Sequence, residues 1–166
     1  MGWRSGWNRR AERLGRLGPS GVLGVVEAWL TVAWVDAVVS WLPYRLWRSW
    51  LRSVPAGGSR ASAPETERVA SWIEIGANHY PRHVGCLQRA LALRALLSHR
   101  GLSATVRIGV AREGQTIRAH AWVDHEGCVL NEAPDVAERY VPLERWTGTA
   151  PASAAGCVQH TGRRIT

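Results

Sequence analysis

The chain has 166 residues, 46% hydrophobic and 20% charged, proportions that fit one globular domain rather than a disordered segment. All 21 basic side chains are arginine, and the absence of lysine excludes a phosphate-loop lysine, Schiff-base chemistry, pyridoxal attachment and a Ser–Lys dyad. The net charge of +8 lies mostly at the front: residues 1–60 carry nine arginines against Glu12, Glu27 and Asp36, whereas residues 61–166 carry twelve against ten acids.

Residues 1–20 read as a basic tail ending at Gly18-Pro19-Ser20. Val22 to Leu42 is the most hydrophobic stretch and has about the 20 residues a membrane span requires. It carries Glu27 and Asp36, nine positions apart and so on opposite sides of a helix. An acid near the centre of a span costs about 2.5–3.5 kcal/mol on insertion scales. No small-residue cleavage site follows closely, which argues against a signal peptide. The expectation is a helix buried against a core.

Pro43 interrupts that helix. Beyond it Tyr44, Trp47, Trp50, Leu51 and Val54 recur at helical spacing, with Arg45, Arg48 and Arg52 on another face. This basic amphipathic helix is either a core face with solvated arginines or a contact for a partner or a membrane surface. Pro55 to Ala63 is a linker, so residues 21–61 form a helical region and its tether.

Ser62 and Glu65 make a capping box that opens a helix through about Ala77. Asn78 to Gly85 is a loop, and an apolar helix runs from Cys86 to about Arg100, stopped by Gly101. Strands follow at Ala104–Val110, Thr116–Asp124 and Cys128–Glu132, with turns at 111–115 and 125–127. Residues 133–146 are irregular, and residues 147–166 read as a disordered tail. The predicted fold class is α+β: residues 62–146 form a core in which one helix packs on a small antiparallel sheet, with further helices in front.

Cys86, Cys128 and Cys157 are odd in number and lack CxxC spacing, which favours a reducing, cytoplasmic location over a disulfide scaffold. Cys86, His120, His125 and Cys128 lack the close ligand pairs of structural zinc. No metal or cofactor is expected.

Cys86 follows Gly85 and begins a helix, where free N–H groups and the helix dipole stabilise a thiolate. Alone, such a cysteine is more simply a packed core residue. Partners change that reading. If His125, Glu126 and Gly127 form a three-residue loop with glycine in the left-handed position, Asp124 faces Cys128 and His120 faces Glu132 on one side of the sheet. A two-residue turn at Glu126-Gly127 would instead put the two on opposite faces. Asp124, four residues along the same strand, lies about 13 Å from His120 and is a poor rival. The set is a thiol on a helix start, a base on one strand and a carboxylate on the next, the logic of a cysteine–histidine–acid triad. Of the other histidines, His79 and His83 precede Cys86 in a loop and are most simply solvated. Trp122, two residues from His120, is a wall of the site, and Trp72 and Trp146 are core.

Residues Gly85–Leu102, Arg107–Val110, Ala119–Val123 (Ala-His-Ala-Trp-Val) and Val129–Glu132 (Val-Leu-Asn-Glu) resemble the transglutaminase-like leader peptidases of lasso-peptide biosynthesis. The resemblance covers roughly residues 22–146. It implies a papain/transglutaminase-like core with catalytic residues at Cys86, His120 and Glu132, the last standing where the family usually has Asp. It further implies cleavage of a leader from a ribosomally made precursor peptide. An asparagine-synthetase-like cyclase then closes a macrolactam, as in antibiotic biosynthesis, and a PqqD-like domain recognises the leader. Residues 1–60 lack the strand pattern of that domain, so a separate leader-binding partner is expected. Alternatives are acyl transfer to an amine, a non-catalytic binding module of the same fold, and a membrane or nucleic-acid binder acting through the basic front.

Overall fold

The structure is a computed structural model that describes residues 18–43, 45 and 63–143. The amphipathic helix expected over 44–54, the linker, the basic tail ahead of Gly18 and the C-terminal tail lie outside the described residues, Arg45 apart.

Helix α1, Pro19–Trp41, starts with proline at its first turn, where the missing N–H costs nothing. It ends as Leu42 turns extended (φ −98°, ψ 138°) ahead of Pro43, the conformation a following proline imposes. Ala28, Val32 and Val35 are buried against the rest of the fold. Leu23, Val26, Leu30 and Trp34 lie on the other side and are all more than half exposed. The expected burial therefore holds for one face only. By length and hydropathy alone α1 would suffice to cross a membrane. Its two acids are nonetheless engaged by the protein: Glu27 pairs with Arg100, and Asp36 is buried beneath Arg82 and Tyr80.

Helix α2, Ala63–Asn78, buries Val69, Ala70, Ile73 and Ala77 at helical spacing. Helix α3, Cys86–His99, buries Ala90 to Leu97 almost without interruption, because α1 and α2 cover one side and the sheet the other. It stops where predicted. Gly101 takes φ +72°, and the N–H groups of Gly101 and Leu102 close on the carbonyls of Ser98 and Leu97.

Strands β1, Thr105–Glu113, and β2, Thr116–His125, form a long hairpin whose pairs run from Thr105 with Asp124 to Glu113 with Thr116. The residues expected as a turn at 111–113 are thus strand, and the turn is Gly114-Gln115. Strand β3, Cys128–Val129, pairs with the end of β2. A one-turn helix α4, Val136–Arg139, leads to β4, Val141–Pro142, on the far edge. The four strands lie in the order β3-β2-β1-β4, all antiparallel. Val106, Ile108, Ala121 and Val123 join the core with the α3 leucines, whereas His120 and Trp122 alternate to the opposite face. The predicted α+β class is the one observed.

Candidate active site

The sequence around Cys86 places it at the first position of α3. Gly85 is extended (φ −75°, ψ 174°), and its N–H donates to Oε1 of Gln88 at 3.0 Å. Gln88 is therefore occupied as a cap. Arg89, on the first turn of α3, donates to the Val84 carbonyl at 3.2 Å and to Asn78 Oδ1 at 3.2 Å, and pairs with Glu74 of α2. Burial pushes the Glu74 carboxyl above its ordinary range, with Arg89 opposing and Glu132 adding to the rise. Asp36 of α1 takes Tyr80 and Arg82 from the same loop. Both ends of the segment before the nucleophile are thus tied to helices behind it.

The hairpin register differs from the expected one. His125 pairs with Cys128 and Asp124 with Val129, so the turn has two residues rather than three. Glu126 (φ 51°) and Gly127 (φ 84°) both sit in the left-handed region, the pattern of a type I′ turn. Glutamate is an unusual occupant there, and the Asp124 side chain supports it by accepting the Gly127 N–H at 3.1 Å.

With that register a continuous strand would turn Glu132 away from His120. The strand is not continuous. Leu130 N–H still donates to the Val123 carbonyl at 3.1 Å, but the Val123 N–H donates to the side-chain Oδ1 of Asn131 at 2.8 Å. Asn131 supplies from its side chain the acceptor a ladder would take from the backbone. The chain is thereby released to bend, and Glu132 returns to His120. Nε2 of His120 lies 2.6 Å from Oε2 of Glu132. The expected partnership stands, and the route to it was wrong. Neither Asn131 nor the bend was read from the sequence, although the Asn-Glu pair after a short apolar strand was its visible signal.

In an antiparallel sheet alternate residues point their peptide groups to the same neighbour. Ala121 therefore presents its N–H along the edge that Val123 uses, where it acts on the Cys86 thiol. The His120 imidazole, and after it the N–H groups of Ala121 and Leu87, favour the thiolate and hold the thiol below its ordinary pKa against the opposing effect of burial. The same bond to Cys86, seconded by Glu132, raises His120 to about 9. Both shifts run in the direction of a thiolate–imidazolium pair.

Glu132 is nearly buried, its side chain 6% exposed. Its second oxygen accepts the Ala133 N–H at 3.3 Å and faces Arg139 at 3.7 Å. The Tyr140 ring stacks on His120, centroids 5.1 Å apart and planes inclined by 29°. Gly109 pairs with His120 across the hairpin, and a Cβ there would lie 2.9 Å from both Tyr140 Cβ and the Trp122 ring. Trp122, expected as a wall of the site, is fully buried, with its ring packed beside Gly109. Sequence reasoning missed Tyr140, Arg139 and Gly109, because the segment that carries two of them looked irregular.

His79 caps α2 through Ile75 and is exposed, as is His83, so both are solvated loop histidines. His125 is buried and bonded to the Ser103 carbonyl, tying the hairpin end to the α3–β1 loop. Cys128 is disulfide-bonded, contrary to the expected thiol, and Cys157 lies outside the described residues. Cys86 is free. Among the described residues no group of three or more histidine, cysteine and acidic side chains is arranged to hold a metal ion.

Residues 28–145 match the model of the transglutaminase-like superfamily. The chain belongs to that superfamily. Its typical activities are those of cysteine proteases and acyltransferases, and the match spans α1 from Ala28 through α2, α3 and all four strands. Neither curated proteins nor solved structures give a match.

Proposed function

We propose that this protein is a cysteine peptidase that removes the leader from a lasso-peptide precursor. The observation that supports it most is the chain of bonds from the Cys86 sulfur through His120 to the buried Glu132. Sulfur attacks the scissile carbonyl as thiolate, and the imidazolium passes its proton to the departing amine. Glu132 holds the ring through Nε2, leaving the other nitrogen for sulfur and substrate. Water, deprotonated by the now neutral imidazole, then releases the leader as a free acid. On this reading the Cys86 backbone N–H, at the first position of α3, is a donor for the developing oxyanion.

The resemblance of the Ala-His-Ala-Trp-Val and Val-Leu-Asn-Glu segments to lasso-peptide leader peptidases supplies the substrate class. On this reading the enzyme works beside a PqqD-like leader-binding protein and an asparagine-synthetase-like cyclase, and uses no cofactor of its own.

The test is reconstitution with a lasso-peptide precursor and a PqqD-like leader-binding protein. Wild-type protein should cut the precursor and Cys86→Ala should leave it intact; undiminished cutting by the variant would sink the mechanism. Mass spectrometry of the released leader separates hydrolysis from acyl transfer, since a free acid marks the first and an amide the second.

A further inference from the structure

Strand β2 is long on one side and barely covered on the other. Against β1 it is paired over its whole length, from Thr116 to Asp124. On the opposite edge β3 covers only Asp124 and His125, Leu130 and Asn131 serve Val123, and the Ala121 N–H acts on the Cys86 thiol. The next residues whose peptide groups face that edge are Ala119 and Ile117. Both are exposed, Ile117 by 77%, and among the described residues no strand pairs with them there.

Open edges are sites for adding a strand, and proteins normally blunt them. This one runs in line with β3 and leads straight to the nucleophile, since Ala119 stands about 6–7 Å along the strand from Ala121. We infer that the β2 edge at Ala119 and Ile117 is the substrate rail: an extended peptide segment pairs with it through main-chain hydrogen bonds, continuing the line of β3 and carrying its scissile bond to Cys86. Recognition of this kind reads backbone rather than side chains and accepts only an unfolded, extended chain. The occupant is peptide substrate rather than a second copy of the protein, because the edge ends on the Cys86 sulfur. The inference rests on the peptidase reading and specifies how that site takes its substrate.

The probe is an α-ketoamide peptide with three residues on either side of the ketone, scored by protection of Cys86 from iodoacetamide. It should protect at concentrations well below those needed for a small α-ketoamide without flanks. N-methylation along one flank should cost about tenfold at every second amide and little between, as the loss of one main-chain bond at a time predicts. Ala119→Pro and Ile117→Pro remove only outward-facing N–H groups. Each should abolish the advantage of the flanks while iodoacetamide still alkylates Cys86 at the wild-type rate.

A uniform response to N-methylation, or an advantage that survives both proline variants, overturns the rail. If a proline variant loses thiol reactivity, the N-methyl series on wild-type protein decides alone. If wild-type Cys86 shows no enhanced reactivity, the peptidase reading fails. The rail is then judged by amide shifts of Ile117 and Ala119 when the same peptide, lacking its ketone, is added to Cys86→Ala protein; their absence overturns it. Dimerisation through this edge in sedimentation also overturns it.

Discussion

Asp36, in the C-terminal third of α1, and Arg82, in the loop before the nucleophile, form an ion pair of 3.0 Å with very unequal exposure: the Asp36 side chain is 3% exposed and that of Arg82 60%. Tyr80 donates to the same oxygen at 3.1 Å. The asymmetry sets the expected cost of breaking the pair. Arg82→Ala leaves a buried anion with only hydroxyl partners and should lower stability by about 1–2 kcal/mol. Asp36→Asn removes the charge that needed a partner and should cost less. Thermal unfolding of both variants checks this, and a higher melting temperature for Arg82→Ala than for Asp36→Asn contradicts it.

The pH profile of kcat/KM should be bell-shaped. Its acid limb follows Cys86, whose thiol is held below its ordinary value, so iodoacetamide should react at mildly acidic pH where an ordinary thiol is inert. Its alkaline limb follows His120 near pH 9, where the proton needed by the leaving amine is lost. Because the folded state raises His120 from 6.5, its contribution to stability is full below 6.5 and disappears as pH climbs through about 9. Glu132→Gln removes the charge on Nε2, so the alkaline limb should move to lower pH and kcat fall about tenfold or more. An unmoved limb would take Glu132 out of the pair.

Asn131→Leu tests the bend. The Val123 N–H loses its acceptor, at a cost of about 1 kcal/mol, while Glu132 loses the turn that aims it. Activity should fall further than this stability loss explains, and the alkaline limb should shift as in Glu132→Gln. Asn131→Asp keeps an acceptor oxygen and should restore most of both. Full activity in Asn131→Leu would show that Glu132 is placed by something else.

Gly109→Ala tests the packing behind the imidazole. The added methyl meets Tyr140 Cβ and the buried Trp122 ring at 2.9 Å, too close to fit unless one of them moves. Overpacking of this kind costs about 1–3 kcal/mol, and the ring that can yield is Tyr140, which stacks on His120. A lower melting temperature together with a slower kcat is expected; an unchanged kcat would make the stack irrelevant to catalysis.

Long periodic segments were legible in the sequence. Helices α2 and α3 begin and end within a residue or two of expectation, because a capping pattern, Gly85 and Gly101 mark their ends by local chemistry. The grouping of Cys86, His120 and Glu132 was legible through residue types, although the hairpin count that paired the last two was off by one. Short elements were not: β3, α4 and β4 have two to four residues each and exist only because β1 and β2 offer them edges and a face. The turn at Glu126 was misjudged because glutamate pays for a left-handed conformation that Asn or Gly would adopt freely. The exposed side of α1 was misjudged as well. Its residues are apolar on every face, so no pattern marks which side meets the core.

The Asn131 clamp also changes what a length change in the hairpin should do. In a regular hairpin the acid's position is counted from the turn, and one inserted residue sends every later side chain to the wrong face. Here the count restarts at Val123, where a side chain grips the strand and the acid follows one residue later. The turn is thereby uncoupled from the acid: one residue inserted at Glu126-Gly127 of this chain should leave Glu132 on His120, because Asn131 still grips Val123.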